Sequence, residues 1–277
     1  MITGVFMGFD RFRKYGLYLL FCGFIVHYLT GCNRESINLR EMSPEEQFAY
    51  AKRIFDKKDY YKAKMQFTVV VLNNPGHPII EKAQFYLGQS HYYEKEYLLA
   101  AAEYEKLIQS IPQSPFVDDA QYMVGMCYYQ LSPGYALDQE YTYKAITKFQ
   151  QFLEDYPESE FRPLAEKRLS ESVSKLAKKE YKTGELYRKM SMFSSALISF
   201  DAVLERYYDT EYADDAQYWK GECHRKMGEW DDAEKAFRDL ISKHAQSDWV
   251  RKAGKKLEEV IEEREKQSQE DSKEDKQ

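Results

Sequence analysis

Cysteine is scarce. Cys22, Cys32, Cys127 and Cys223 are the only four in 277 residues, and no two are spaced C-x-x-C. That excludes a disulfide framework and a paired-thiol metal motif. A Gly-rich phosphate loop and a His-Glu-x-x-His helix are missing too, so no cofactor and no metal is expected. Basic charge is short: 40 Lys and Arg against 46 Asp and Glu give a net charge of −6. Nucleic acid needs a basic footprint and is not an expected partner. Strand-like alternation and Asn-Gly hairpin signals are also lacking.

What is present begins with a targeting segment. Arg11, Arg13 and Lys14 precede an uncharged run, Tyr15 to Leu29. A membrane-spanning helix needs about 20 apolar residues, and this run is only 15 long. A basic start, a short apolar core and small residues before a cut site describe an export signal. The site itself, Leu29-Thr30-Gly31-Cys32, resembles the bacterial lipobox. The resemblance implies a diacylglyceryl thioether on Cys32, cleavage before it and acylation of the new amino group. On this reading residues 1–31 are the signal and 32–43 a lipidated linker. Removing one acid (Asp10) and three bases takes the charge from −6 to −8. Asn33 follows the cysteine where inner-membrane retention favours aspartate, which points to the outer membrane.

The rest of the chain repeats itself. Gly88, Gly125, Gly184 and Gly221 are 37, 59 and 37 residues apart. Ala63, Ala100, Ala145, Ala196 and Ala233 each lie four residues before Phe67, Tyr104, Phe149, Phe200 and Phe237. Pro75, Pro112 and Pro157 follow eight residues after three of those aromatics. Five units result, starting at Pro44, Glu81, Asp118, Ala177 and Asp214. Apolar residues recur at i, i+3, i+4 and i+7, so each unit reads as two amphipathic helices, A and B. The small residues at positions 8 and 20 let the pair pack closely. The aromatic at position 24 is expected to fill the space between neighbouring units. Proline at position 32 stops helix B. Ser43-Pro44-Glu45-Glu46 has the makings of an N-terminus. An extra helical stretch, Phe161 to Leu176, precedes the fourth unit. A final helix, residues 251–266, caps the stack, because an end unit must show water a polar face. Residues 263–277 are expected to be a disordered charged tail.

This frame resembles the tetratricopeptide repeat, with Ala51 for the first glycine and Tyr208 and Ala245 for the last two prolines. The fold expected is an all-α, right-handed superhelical solenoid over residues 44–262, in halves 44–157 and 158–262, with a C-terminal capping helix. The third unit adds an eight-residue insertion at Pro133-Gly134. The run Asp138-Gln139, Thr142, Ala145, Phe149 and Tyr156-Pro157 resembles the BamD family, lipoproteins of the outer-membrane β-barrel assembly machinery. That resemblance implies a non-enzymatic protein facing the periplasm. It would receive unfolded outer-membrane protein clients and dock on a BamA-type barrel subunit. The rivals are a generic repeat lipoprotein organising envelope or cell-wall enzymes, and an envelope hydrolase with a non-local site. His91 and His224 both fall at repeat position 11, where packing explains them better than catalysis.

Repeat geometry, carried by the same resemblance, puts positions 5, 12 and 13 on the inner face of the superhelix. Units 1 to 3 offer aromatics there: Phe48, Phe55, Phe85, Tyr92, Tyr93, Tyr122 and Tyr129. These form the expected client-peptide groove, suited to the apolar side of an extended segment. Units 4 and 5 instead offer Arg188, Lys189, Arg225 and Lys226, the expected docking site for an acidic partner. Cys127 and Cys223, two units apart, should be free. Packed helices sit about 8–10 Å apart, beyond the roughly 4.4–6.8 Å between the Cα atoms of a disulfide. Replacing Cys32 by Ser should leave an unprocessed or soluble product; normal processing with outer-membrane fractionation would refute the lipobox assignment.

Overall fold

The computed structural model describes residues 41–274. The signal, Cys32 and the linker up to residue 40 lie outside the described residues. Among the described residues there are eleven α-helices and no strand. They pair as expected. Unit 1 is α1 (Pro44–Asp56) and α2 (Tyr60–Asn73); unit 2 is α3 (Ile79–Tyr93) and α4 (Tyr97–Ser110). Unit 3 is α5 (Val117–Leu131) and α6 (Glu140–Asp155); unit 4 is α7 (Arg162–Lys189) and α8 (Phe193–Arg206). Unit 5 is α9 (Ala213–Met227) and α10 (Trp230–Lys243), and α11 (Val250–Glu274) closes the stack. Each helix packs on the next. The A-helices of units 1 and 2 also touch, as do α5 and α7, while no two neighbouring B-helices come as close. At these two joints the A-helices lie closer together than the B-helices, as on the inner side of a superhelix.

The packing frame is small against aromatic. A Cβ added at Gly88 would lie 2.6 Å from the Tyr104 ring. The matching distances are 2.7 Å from Gly125 to Phe149, 2.6 Å from Gly184 to Phe200 and 2.7 Å from Gly221 to Phe237. The position-24 ring thus closes its own unit and, as expected, also fills the space toward the next: Phe67 clusters with Ala83 and Leu87, Tyr104 with Ala120 and Val124, and Phe200 with Ala216. A Cβ cannot stand this close to a ring, so units 2 to 5 need glycine there; unit 1 has the buried Ala51 at that position.

The same ring meets the position-5 aromatic of its unit. Phe48–Phe67, Phe85–Tyr104, Tyr122–Phe149, Tyr181–Phe200 and Tyr218–Phe237 have centroids 5.7, 5.7, 6.1, 6.0 and 5.9 Å apart. A third ring, at position 36 just before the next A-helix, covers the other side in units 2 to 5. Phe116 stacks on Phe85 at 5.3 Å, Phe161 on Tyr122 at 4.8 Å and Trp249 on Tyr218 at 4.1 Å, while Tyr212 lies tilted on Tyr181 at 5.6 Å. Each favourable ring pair contributes about 0.5–1.5 kcal/mol beyond its buried area. A hydroxyl two residues earlier fixes the third ring's backbone. The amide N–H groups of Phe116, Phe161 and Trp249 donate to Ser114, Ser159 and Ser247 at 3.3, 3.3 and 3.1 Å. Ser159 in turn donates to Asp118 at the start of its unit, 3.2 Å away.

Two boundaries differ from expectation. The stretch from Phe161 is not a separate helix but the first half of α7, which runs 28 residues to Lys189. Pro163 sits in its first turn, where its missing N–H does no harm. Nothing between Leu176 and Tyr181 breaks the helix, so the extra stretch and the A-helix of unit 4 are one rod. The C-terminal stretch from 263, expected to be disordered, is helical to Glu274. Arg264 binds Asp231 at 3.1 Å and also Glu234, and the Trp230 indole donates to Gln267. These contacts to α10 hold the polar helix past its last apolar turn.

Cys127 and Cys223 are free and buried. Burial pushes both thiols up, Cys223 to about 12, so neither is a ready nucleophile. Gly125→Ala should lower stability by about 1–3 kcal/mol, because the fully buried Phe149 ring cannot yield. Gly254→Ala has nothing within 4 Å of the new Cβ and should raise stability by about 0.5–1 kcal/mol. Denaturant midpoints of the two variants, compared with wild type, check both signs.

Candidate functional site

The inner face sorts the expected site residues by depth. Position 5 is interior: Tyr122, Tyr181 and Tyr218 are buried, and Phe48 and Phe85 half-buried, all in the ring stacks. Tyr122 therefore leaves the expected groove, because Phe161 stacks on it and Phe149 and Phe152 back it. Of positions 12 and 13, only position 13 is open along the stack: Asp56, Tyr93, Gln130, Lys189 and Lys226 are all exposed.

In units 1 and 2 the position-12 rings merge into one cluster. Phe55 meets Tyr60, Tyr86 and Tyr93 edge-on at 5.2, 5.3 and 5.8 Å. Tyr93 lies flat on Tyr60 at 4.7 Å, and Tyr92 meets Tyr97 at 5.3 Å. Tyr60 and Tyr97 belong to the repeat frame, each three residues before its alanine, but were not expected in the groove, and Tyr86 was not expected at all. Tyr60 and Tyr97 share position 17 and open helix B, a recurrence visible in the repeat; Tyr86 has no such signal. The cluster presents Tyr93 to solvent with its ring already held on two sides.

Unit 3 is different because α7 crosses it. Tyr129 donates to Glu171 of α7 at 2.7 Å, and Arg168 binds the same carboxylate at 2.7 Å while lying over the Tyr129 ring. Burial pushes the Glu171 carboxyl up, but the Tyr129 hydroxyl and Arg168 guanidinium outweigh it and hold the group below its ordinary value. Lys175 donates to Ser132 at 2.7 Å and Lys179 to the Leu137 carbonyl at 2.9 Å, tying the insertion to the same helix. Inside the insertion, Gln139 donates to the Gly134 and Leu137 carbonyls and accepts from Thr142 at 2.7 Å. Asp138 caps α6 through the Glu140 N–H at 2.9 Å. The motif that carried the family resemblance is thus a rigid buttress under α7. Tyr92 and Gln130, 3.2 Å apart, join this polar patch to the aromatic cluster.

In units 4 and 5 the four basic residues divide. The Arg188 guanidinium stacks on Trp219 at 3.8 Å, and Arg225 forks onto Glu222 at 3.0 and 3.1 Å. Lys189 and Lys226 stand exposed beside them. The cations nearest solvent are the two lysines, with the arginines fixed underneath.

His224, Glu229 and Asp232 place ligand atoms within 4.8 Å of one another. The His224–Glu229 pair, 2.6 Å apart, recurs as His91–Glu96 at 2.7 Å, where Leu99 takes the third position. The pair clasps the turn between helices A and B in both units, a role that needs no ion. A cleft of about 390 Å³ opens between α6, the first half of α7 and the α8–α9 link, lined by Gln150, Glu166, Ser170 and Glu211 among others.

A family model described as YfiO, outer membrane lipoprotein, matches residues 40–240. The chain belongs to this family. The match spans the repeat units into the last turn of α10, and the BamD-family resemblance read from the motifs holds. No curated protein gives a significant match. Among solved structures, a tetratricopeptide repeat protein from Parabacteroides merdae is 18% identical, with TM-score 0.35, covering 82% of this chain and 75% of its own. The TPR2AB domain of yeast Sti1, solved with pHSP90, is 13% identical, with TM-score 0.42 and coverage of 78% and 82%. A thermophilic TPR protein of Thermus thermophilus is 15% identical, with TM-score 0.34 and coverage of 78% and 99%.

Asp119, in the first turn of α5, supplies a pH test. Burial pushes its carboxyl up from 3.8 to about 6, helped by Asp118 and Glu160. Between those values the folded protein holds a proton that the unfolded chain releases, so Asp119 makes stability fall as pH rises through that window. Asp119→Asn should flatten the slope and stabilise the protein above it. Urea midpoints across the window check this.

Proposed function

We propose that this YfiO-family chain is the lipid-anchored, periplasm-facing binding component of β-barrel protein assembly. It holds segments of unfolded outer-membrane proteins and docks on a BamA-type barrel subunit. The family match over the repeat units carries the reading. The geometry refines it. The client side is the aromatic cluster of Phe55, Tyr92 and Tyr93, with Phe48 and Phe85 behind it and Tyr129 at its polar end. Fixed aromatic surfaces favour the apolar face of an extended strand at low entropic cost. Reversible binding suits a client that must be passed on. The docking side is Lys189 and Lys226, which attract an acidic partner surface, with Arg188 and Arg225 as its floor. The scaffold reads as a binding device rather than a catalyst: the buried thiols are pushed up, and His91 and His224 are clasped in turns.

The basic side is tested by Lys189→Glu with Lys226→Glu. Both side chains are exposed, so folding should survive, and capture of the BamA-type subunit in a native pull-down should fall by tenfold or so if the pair contributes about 1.4 kcal/mol. Unchanged capture with an intact helical signal removes these residues from the interface. The client side is tested by a photoreactive residue at position 93, compared with one at 226. A peptide ending in an alternating apolar strand with a terminal aromatic should label from 93 alone; equal labelling from both would end the division of roles. If the BamA-type subunit is not captured and envelope enzymes are, the chain is a scaffold for those enzymes instead.

A further inference from the structure

Helix α2 carries apolar residues on its outer face as well as on its inner one, with Lys62, Gln66 and Asn73 in a polar stripe between them. Ala63, Phe67 and Val70 are buried on its inner face. On its outer face Tyr61, Met65 and Leu72 are 58%, 52% and 71% exposed. Next to it, α4 exposes Leu98 and Leu99 at 51% and 54%. Lys64 of α2 binds Glu96 at the head of α4 at 2.7 Å, which links the two neighbouring B-helices. An amphipathic helix normally keeps its outer face polar, and large exposed apolar side chains grouped on one face mark a contact site.

The repeat supplies an internal control. The positions of Tyr61, Leu99 and Met65 are occupied in unit 5 by Asp231, Asp232 and Lys235, on a B-helix that packs through the same alanine and aromatic. The fold does not require apolar residues there: unit 5 has none, unit 3 exposes Tyr143 and unit 4 exposes Ile198 as single residues, and units 1 and 2 carry two each, Tyr61 with Met65 and Leu98 with Leu99. These units also lie nearest the anchor. Cys32 and Pro44 are 12 positions apart, and an extended chain spans at most roughly 3.6 Å per residue, so α1 begins within about 43 Å of Cys32. Lys57, Lys58 and Lys95 are exposed at the turns flanking the patch, where anionic headgroups would find them, while Lys62 pairs with Asp59 at 2.7 Å.

We propose that the outer face of α2 and α4 is a membrane-contact face, lying against the phospholipid leaflet that holds the Cys32 anchor. This rests on the lipoprotein reading. A lipid anchor sets only distance; a second apolar contact adds orientation. With B-helix faces down, the A-helix face of units 1 and 2 opens away from the leaflet, leaving Tyr93 and its neighbours accessible to clients.

The test uses the full lipidated chain in phospholipid vesicles, with an environment-sensitive fluorophore on Met65→Cys or on Lys235→Cys; the buried native thiols do not compete for label. Doxyl-labelled phospholipid should remove most emission from position 65 and none from position 235. Mass analysis of Cys32 in the same samples separates the two readings. No quenching at 65 with Cys32 acylated overturns the membrane face alone; an unacylated Cys32 overturns the anchor and this inference with it. A water-shielded probe at 65 that lipid does not quench means that protein, either residues 33–43 or a partner, covers the patch, and this also overturns the proposal.

Discussion

The contact of a helix-A glycine with a helix-B ring is the constraint on which the solenoid depends. In units 2 to 5 the ring lies where a side chain on the glycine would stand, at 2.6 to 2.7 Å from a Cβ built there. Because the two helices can approach this closely, the ring also reaches the aromatic at position 5, and that aromatic is presented to the ring that opens the next A-helix. Close approach within a unit thus builds the joint between units. Removing the small residue would not loosen one pair alone; it would displace three rings and the turn whose serine holds the third. Repetition of the arrangement makes the stack a sum of similar joints rather than one central core.

The long helix α7 sets the character of the inner face. It belongs to unit 4 by its second half and covers unit 3 by its first. Phe161 closes the Tyr122 stack, Arg168 and Glu171 engage Tyr129, and Lys175 and Lys179 hold the insertion. The aromatic surface is therefore open in units 1 and 2 and turns polar at unit 3. Beyond it, Lys189 and Lys226 rise from a floor of stacked and paired arginines. One scaffold carries an apolar end and a basic end, separated by a buttressed middle.

Much of this was legible from residue spacing. Five units, their helix pairs, the small–small–aromatic frame and the free cysteines follow from a period of 37 and from the 3.6-residue turn, both of which act locally. The insertion motif pointed to the family, and its physical content, Asp138 capping and Gln139 bracing, was hidden only in detail. The Ser-x-aromatic signal at 114–116, 159–161 and 247–249 was present but unread, because two residues repeated at variable distances do not stand out from the longer frame.

What the sequence by itself determined is the periodic part: which residues are small, which are aromatic, where each helix can start and stop. Those are properties of one or two turns of backbone. Tertiary structure decided which aromatics are left for a partner. Phe48, Tyr122 and Tyr93 look alike as residues on one predicted face, yet one is half-buried in a stack, one is enclosed and one is open. The difference lies in rings at 67, 161 and 60, brought near by packing between segments. Likewise, Arg188 and Lys189 are neighbours in the chain, but only the guanidinium finds an indole to lie on. Exposure depends on what the rest of the chain places against a side chain, and no local period encodes that.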